Sequence, residues 1–195
     1  MKSILNGRRL ILGSKSPRRS QLLKELDIPF VQKVEDTDES FPDDLEVAKV
    51  AEYIAHKKAL AIIPRMKNDD IILTADTIVV CNDVIYGKPK NQDQAKEFVE
   101  LLSDNVHQVI TGVCILDNEK HSCFSGTSEV KIRPITGQEI QYYIDAYMPL
   151  DKAGAYGIQE WFGHAKIEWI TGTYTNIMGL PTDLVYQHLL SFASK

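Results

Sequence analysis

Short apolar runs alternate with helical stripes along the chain. Arg9-Leu10-Ile11-Leu12-Gly13 reads as a first strand closed by its glycine, and Ser16 to Leu26 as a helix with Leu22, Leu23 and Leu26 on one face. Phe30 to Val34 is a short second strand. An acidic loop, Glu35 to Asp44, leads into a helix from Glu46 to Ile63 striped by Val47, Val50, Ala51, Ile54 and Ala55. Ile71 to Cys81 is the most hydrophobic strand, and Asn82-Asp83 is a two-residue turn signal before the return Val84-Ile85-Tyr86. A helix over Asn91 to Leu102 follows, then strands over His107 to Leu116 and Lys120 to Arg133. The pattern continues with a helix from Thr136 to Ala146, a glycine-bearing loop from Leu150 to Glu160, a strand from His164 to Ile170 and a helix from Pro181 to Ser191. With no linker, repeat or low-complexity tract, this alternation predicts one α/β domain over residues 1–195.

Composition narrows the class. The 195 residues carry 22 Lys+Arg against 27 Asp+Glu, a net charge of −5, and 44% are hydrophobic. A chain of this size buries roughly 70% of its unfolded surface, so it folds without help from disulfides or a structural metal. Net acidity argues against a nucleic-acid partner, since duplex binding needs a broad basic field. A local basic site for a small anion stays open. No apolar run approaches the ~20 residues of a membrane span, and Met1 to Arg9 is charged too early for a signal peptide. Cys81, Cys114 and Cys123 form no CxxC pair and read as small buried hydrophobes suited to a reducing compartment. The expected location is the cytoplasm.

Four stretches carry chemistry. In Gly13-Ser14-Lys15-Ser16-Pro17-Arg18-Arg19, Ser16 is placed as N-cap and Pro17 as first helical residue. Arg18 and Arg19 then stand at the positive end of a helix dipole, where cations are disfavoured by ~0.3–1 kcal/mol each. A polyphosphate gripped by amides, hydroxyls and guanidinium forks would justify them; a solvated basic turn is the plain alternative. Asp76 interrupts Ile71-Ile72-Leu73-Thr74-Ala75-Asp76-Thr77-Ile78-Val79-Val80, so it is either a costly buried charge awaiting compensation or the mark of an exposed bend.

The third stretch is Gly87-Lys88-Pro89. Counting back from the Asn82-Asp83 turn puts Cys81 opposite Val84 and Lys88 opposite Thr77, beside Asp76; a one-residue slip undoes this, and the plainer reading is a lysine in an ordinary Gly-Pro turn. In the fourth, Asp151 to Gln159, two glycines permit close backbone approach to a ligand. Gln159 offers both donors and an acceptor to a base edge carrying an imide N–H and a carbonyl. Asp38-Glu39 closes the acidic loop, either as carboxylates that with Asp76 ligate a hard divalent cation or, the plainer reading, as solvated loop acids. Lys57 and Lys58 read as a solvated helix face. His107 reads as a strand-edge histidine, and the five histidines show no zinc spacing.

Together these stretches resemble the Maf family of nucleoside triphosphate pyrophosphatases, first associated with septum formation. Leu12 to Arg19 resembles the family's S-x-SPRR opening, Ala75-Asp76-Thr77 with Gly87-Lys88-Pro89 its ADT…GKP pair, and His107 to Val113 its H-x-V-x-TGV strand. Leu150 to Gln159 and Gly179-Leu180-Pro181 match its later segments. Two stretches depart: Ala146-Tyr147-Met148-Pro149 stands for SGEP, and Leu102-Ser103-Asp104 for LSG.

The resemblance implies a mixed α/β fold with an elongated sheet flanked by helices and two lobes with a cleft, usually as a homodimer. It implies cleavage of a nucleoside triphosphate between the α- and β-phosphates with divalent metal, Mg²⁺ or Mn²⁺. By the same resemblance Asp76 corresponds to the proton acceptor, Ser14, Arg19, Lys58 and Lys88 to phosphate-handling residues, and Glu39 with Asp76 to the metal site. Arg18, Thr77 and Gln159 match the trio of the branch acting on dTTP and UTP. The alternatives are a 7-methyl-GTP or modified-nucleotide pyrophosphatase, and a non-catalytic nucleotide-binding regulator. Whether Asp76 is a general base or only a ligand stays open.

Overall fold

The structure, a computed structural model, describes residues 4–193; Met1, Lys2 and Ser3 of the charged N-terminal stretch, with Ser194 and Lys195, lie outside the described residues. Leu10, Ile11 and Leu12 are fully buried in β1 (Arg9–Leu12). Ser16 caps α1 (Pro17–Glu25) by accepting from the Arg19 amide, and Pro17 occupies the first turn, where no amide hydrogen is required. After β2 (Phe30–Gln32) comes α2 (Val47–Ile62), whose expected stripe is buried from Val50 onward and extends to Ala59 and Ile62. Then follow β3 (Asp70–Cys81), β4 (Val84–Tyr86), α3 (Gln92–Leu102), β5 (Val106–Leu116), β6 (His121–Ile132) and α4 (Gly137–Tyr147). The chain ends with α5 (Trp161–Lys166), β7 (Ile167–Thr171), α6 (Tyr174–Ile177) and α7 (Thr182–Ala193).

The strands form one seven-stranded sheet in the order β2-β1-β3-β5-β6-β7, with β4 paired to β3. β1 runs parallel to both β2 and β3, so Leu10 lies between Phe30 and Ile71; β3–β4 and β6–β7 are antiparallel. The expected mixed α/β sheet is therefore present. The chain divides into two compact units, one of residues up to Asp76, Thr111–Gly126 and the part from Gly179, the other of Thr77–Ile110 and Thr127–Met178.

In the first unit Ile11, Ala55, Ala59, Ile62, Ile72, Cys114 and Leu116 form a continuous core. Gly112 sets how closely α2 approaches β5: a Cβ there would overlap the α2 backbone at Ala51 and Glu52. The second unit is aromatic at its centre, with the Phe162 ring 5.1 Å from Tyr143 and 5.0 Å from Tyr156.

Two expectations need correction. Residues 161–166, assigned in part to a strand beginning at His164, form α5, and β7 starts only at Ile167. The anchoring of Phe162, 1% exposed, outweighs the weak alternation of so short a run. Cys114 and Cys123 are not separate hydrophobes. Asp117 N donates to Lys120 O across a tight turn (2.9 Å), which brings the two cysteines to a Cα–Cα distance of 4.2 Å as a cross-strand disulfide.

Candidate active site

In the first unit, Asp76 is 8% exposed inside an unbroken strand, so the exposed-bend reading fails. Lys58 supplies the counter-charge from α2. Its ammonium lies 2.6 Å from Asp76 Oδ1 and 2.7 Å from Glu39 Oε1. The Lys58 side chain is 15% exposed, against 49% for Glu39. It is thus an inward residue, contrary to the solvated face its helix position suggested. Lys57 behaves as expected of that face, reaching the exposed Asp38 at 3.3 Å and the Ser40 carbonyl at 2.8 Å.

The head of α1 adds a second cationic element to this unit. Ser14, buried, accepts from Ser16 N at 3.2 Å and from Arg19 Nη1 at 3.1 Å, while its carbonyl accepts from Gln32 Nε2 at 2.5 Å. Arg19 Nε donates to the Gly179 carbonyl at 2.7 Å. Burial draws the Arg19 guanidinium below its ordinary range; the Asp76 charge opposes this, Arg18 adds to it and Glu39 opposes it. Arg18 is half-buried in the same turn. Lys15 turns outward to pair with Asp36 at 2.9 Å.

Two carboxylates thus converge on one ammonium within the field of Arg19. Their hard oxygen donors suit Mg²⁺ or Mn²⁺, which hold a few protein carboxylates and complete their shell with water and phosphate oxygens. The convergence of Asp76 and Glu39 on a single cation position fits such an ion.

The second unit holds the other anticipated residues. Thr77, half-buried, follows Asp76 along β3 with its side chain on the opposite face of the pleat. The turn register holds, with Cys81 opposite Val84 and Val79 opposite Tyr86. Asn82 and Asp83 supply the two positive φ angles, 50° and 61°, that this turn requires. The ladder stops at Tyr86, so Lys88 is exposed beyond it and is not ladder-paired with Thr77 as the count suggested. Gly154 adopts φ 68°, and a Cβ there would press on Val79 Cγ2 at 2.9 Å. It packs closely on β3 at Val79. Gln159 Oε1 is a buried acceptor without a hydrogen-bond partner.

A buried network around this loop was missed. Lys152, 8% exposed, pairs with Glu160 at 3.0 Å. Tyr143 donates to Glu160 Oε2 at 2.5 Å and accepts from Gly157 N at 2.9 Å. Burial first, then Glu160, raises the Tyr143 phenol well above its ordinary range. His107 Nε2 lies 2.7 Å from the Tyr156 hydroxyl, so His107 is enclosed rather than at a strand edge. The sequence signal for the loop network was the pair of charges, Lys152 and Glu160, bracketing an otherwise apolar Ala-Gly segment.

Residues 9–192 match the family described as Maf-like protein. The chain belongs to the Maf-like protein family. A dTTP/UTP pyrophosphatase of Parabacteroides distasonis is 48% identical to this Maf-like chain over 185 residues, covering 94% of the chain and 96% of the relative. A dTTP/UTP pyrophosphatase of Flavobacterium johnsoniae is 40% identical over 189 residues, 97% of each protein. Among solved structures, the Staphylococcus aureus Ham1 protein superposes with a TM-score of 0.48 at 13% identity, over 64% of this chain and 72% of that one.

Proposed function

We propose that this protein hydrolyses dTTP and UTP between the α- and β-phosphates, releasing pyrophosphate and the monophosphate. The observation that carries the reading is Lys58 bridging Asp76 and Glu39 in the unit that also holds Ser14 and Arg19 at the head of α1. A buried carboxylate amid cations is the arrangement a hydrolase of polyphosphates needs, and a passive anion binder has no use for it. The substrates follow from relatives at 40–48% identity named for dTTP and UTP. Neither the 7-methyl-GTP alternative nor a non-catalytic regulator is favoured by those relatives.

The roles follow from charge and reach. Arg19, Lys58 and Lys88 offset the triphosphate charge, and Ser14 presents a hydroxyl whose position is fixed by the Arg19 and Ser16 contacts. Asp76 and Glu39 would hold Mg²⁺ or Mn²⁺, which when bound polarises the α-phosphoryl group and acidifies an attacking water. Asp76 would accept or orient a proton of the attacking water, and movement of Lys58 toward phosphate would free its Oδ1 for the task. Gln159, with its unpartnered carbonyl oxygen, receives the imide N–H of a uracil or thymine; Arg18 and Thr77 complete the base selection. The homodimer implied by the family resemblance and a cytoplasmic location belong to the same reading. Among the described residues no helix is long and apolar enough to cross a membrane.

Pyrophosphate release from a panel of NTPs and dNTPs, with Mg²⁺ or Mn²⁺ and after chelation, tests this. dTTP and UTP should lead the panel and chelation should end turnover. Absence of pyrophosphate from every nucleotide, or equal turnover by Asp76→Asn, overturns the proposal.

A further inference from the structure

The first unit contains a second group of metal-binding side chains, chemically distinct from the carboxylates. His56 on α2, Cys114 on β5 and Cys123 on β6 each offer one ligand atom, and these atoms all lie within 4.8 Å of one another. We propose that, once the disulfide is opened, His56, Cys114 and Cys123 form a binding site for one borderline-soft divalent cation of the zinc type.

The placement has a structural cause. The Cα–Cα distance of 4.2 Å is that of a non-hydrogen-bonded antiparallel pair, ~4.5 Å apart, in which side chains stand closest and on one face. That face meets α2: Cys114 belongs to the core cluster with Ala55 and Ala59, and Cys123 packs against the same cluster. The Thr74 hydroxyl lies 2.6 Å from the carbonyl of Ala55, the residue before His56, and 3.5 Å from the carbonyl of Cys114. One side chain of β3 therefore ties the backbone bearing the imidazole to the backbone bearing a thiol. The His121 ring is stacked 6.4 Å from that of His56, so a second imidazole stands close to the group. Three ligands with a further position for water or His121 match the coordination zinc takes.

Ligand chemistry separates the two sites. Two thiolates and an imidazole select zinc-like ions over Mg²⁺ or Mn²⁺, whereas Asp76 and Glu39 show the opposite preference. A packed apolar pair of cysteines would need no imidazole nitrogen within 4.8 Å of its sulfurs. The site has a redox condition built in, because the same sulfurs cannot be joined and coordinate an ion. A dithiol or phosphine reductant opens it: two electrons cleave the S–S bond, two protons cap the thiols, and the reductant leaves oxidised. The cation then displaces both thiol protons as it binds. When filled, the site clamps α2 to the β5–β6 hairpin two residues before Lys58.

The test uses the full chain, reduced by a phosphine, freed of metal and titrated with Co²⁺ alone in excess Mg²⁺, which saturates oxygen-donor sites. One equivalent should give a thiolate-to-cobalt charge-transfer band in the near ultraviolet and the strong visible bands of tetrahedral cobalt. Equimolar Zn²⁺ should remove both. The unreduced chain should show neither. Cys123→Ser should abolish the stoichiometric signal, and His56→Gln, which keeps both thiols, should weaken Co²⁺ binding about 10-fold or more. Far-ultraviolet dichroism checks that each variant is folded. A reduced chain without charge-transfer bands, bands that survive Cys123→Ser, or unchanged affinity in folded His56→Gln would each overturn the site. None of these readouts depends on nucleotide turnover.

Discussion

Lys58 Nζ sits 2.6 Å from Asp76 Oδ1, joining the C-terminal half of α2 to the one acidic side chain in the central stretch of β3. Neither charge is free in water, so each makes the other tolerable. Replacing Asp76 by Asn keeps shape and a hydrogen-bond acceptor but removes the charge proposed to handle the attacking water. Turnover of dTTP should fall on the order of 10²–10⁴-fold, with only a small change in urea midpoint. Lys58→Met instead strands a buried carboxylate and should cost about 3 kcal/mol of stability. Steady-state pyrophosphate release and urea denaturation on both variants separate the catalytic loss from the structural one. Equal destabilisation by the two substitutions would show that Glu39 does not hold the Lys58 charge once Asp76 is neutral.

Gln159 tests base recognition. Its Oε1 is buried without a partner, a cost normally recovered by a ligand donor. Gln159→Glu replaces the side-chain amide donor with a carboxylate, which repels the base carbonyl. The expected result is a rise in KM for dTTP and UTP of about 10-fold or more, from a lost polar contact of ~1–3 kcal/mol. Inhibition by inorganic pyrophosphate, which has no base, should stay unchanged. Parallel losses for nucleotide and pyrophosphate would remove Gln159 from the base.

What could be read in advance followed from local rules. The Asn82-Asp83 turn fixed the β3–β4 register because a two-residue turn allows only one, and Ser16-Pro17 marked the start of α1. Asp76 announced itself as a charge in an apolar run. Lys58 did not: only the depth to which α2 sinks at Gly112 and the return of the Glu39 loop give it partners, and both are tertiary facts. The Cys114–Cys123 pair was within reach, since a turn over 117–120 places 114 opposite 123, but sequence separation obscured it. In α5, six residues were too few for periodicity to outweigh the anchoring of Phe162.

The α2–β5 contact at Gly112 predicts a backbone effect independent of catalysis. No rotamer relieves a methyl group directed into the Ala51–Glu52 backbone, so α2 must lift from the sheet. Gly112→Ala should lower stability by about 1–3 kcal/mol through overpacking, visible as a lower urea midpoint. Because Lys58 rides on α2, turnover at saturating dTTP should fall as well. A fully stable variant would show that the helix does not rest on this glycine.

His107 gives a pH signature in the second unit. It is 2% exposed, and burial lowers its pKa from 6.5 to about 4. The unfolded chain therefore binds a proton that the native chain refuses between these values. The contribution is fully present above pH 6.5 and is lost as pH falls to about 4, with a size of about 3 kcal/mol. Asp38, lowered from 3.8 to about 2, and Glu139, lowered from 4.5 to about 2, lose most of their contributions below pH 4.5, and they do so equally in parent and variant. His107→Gln can still bond the Tyr156 hydroxyl but does not titrate. The difference in urea midpoint between pH 7 and pH 4.5 should shrink in that variant relative to the parent. An identical pH dependence in both proteins would mean that His107 takes up its proton in the folded state as readily as in the unfolded chain.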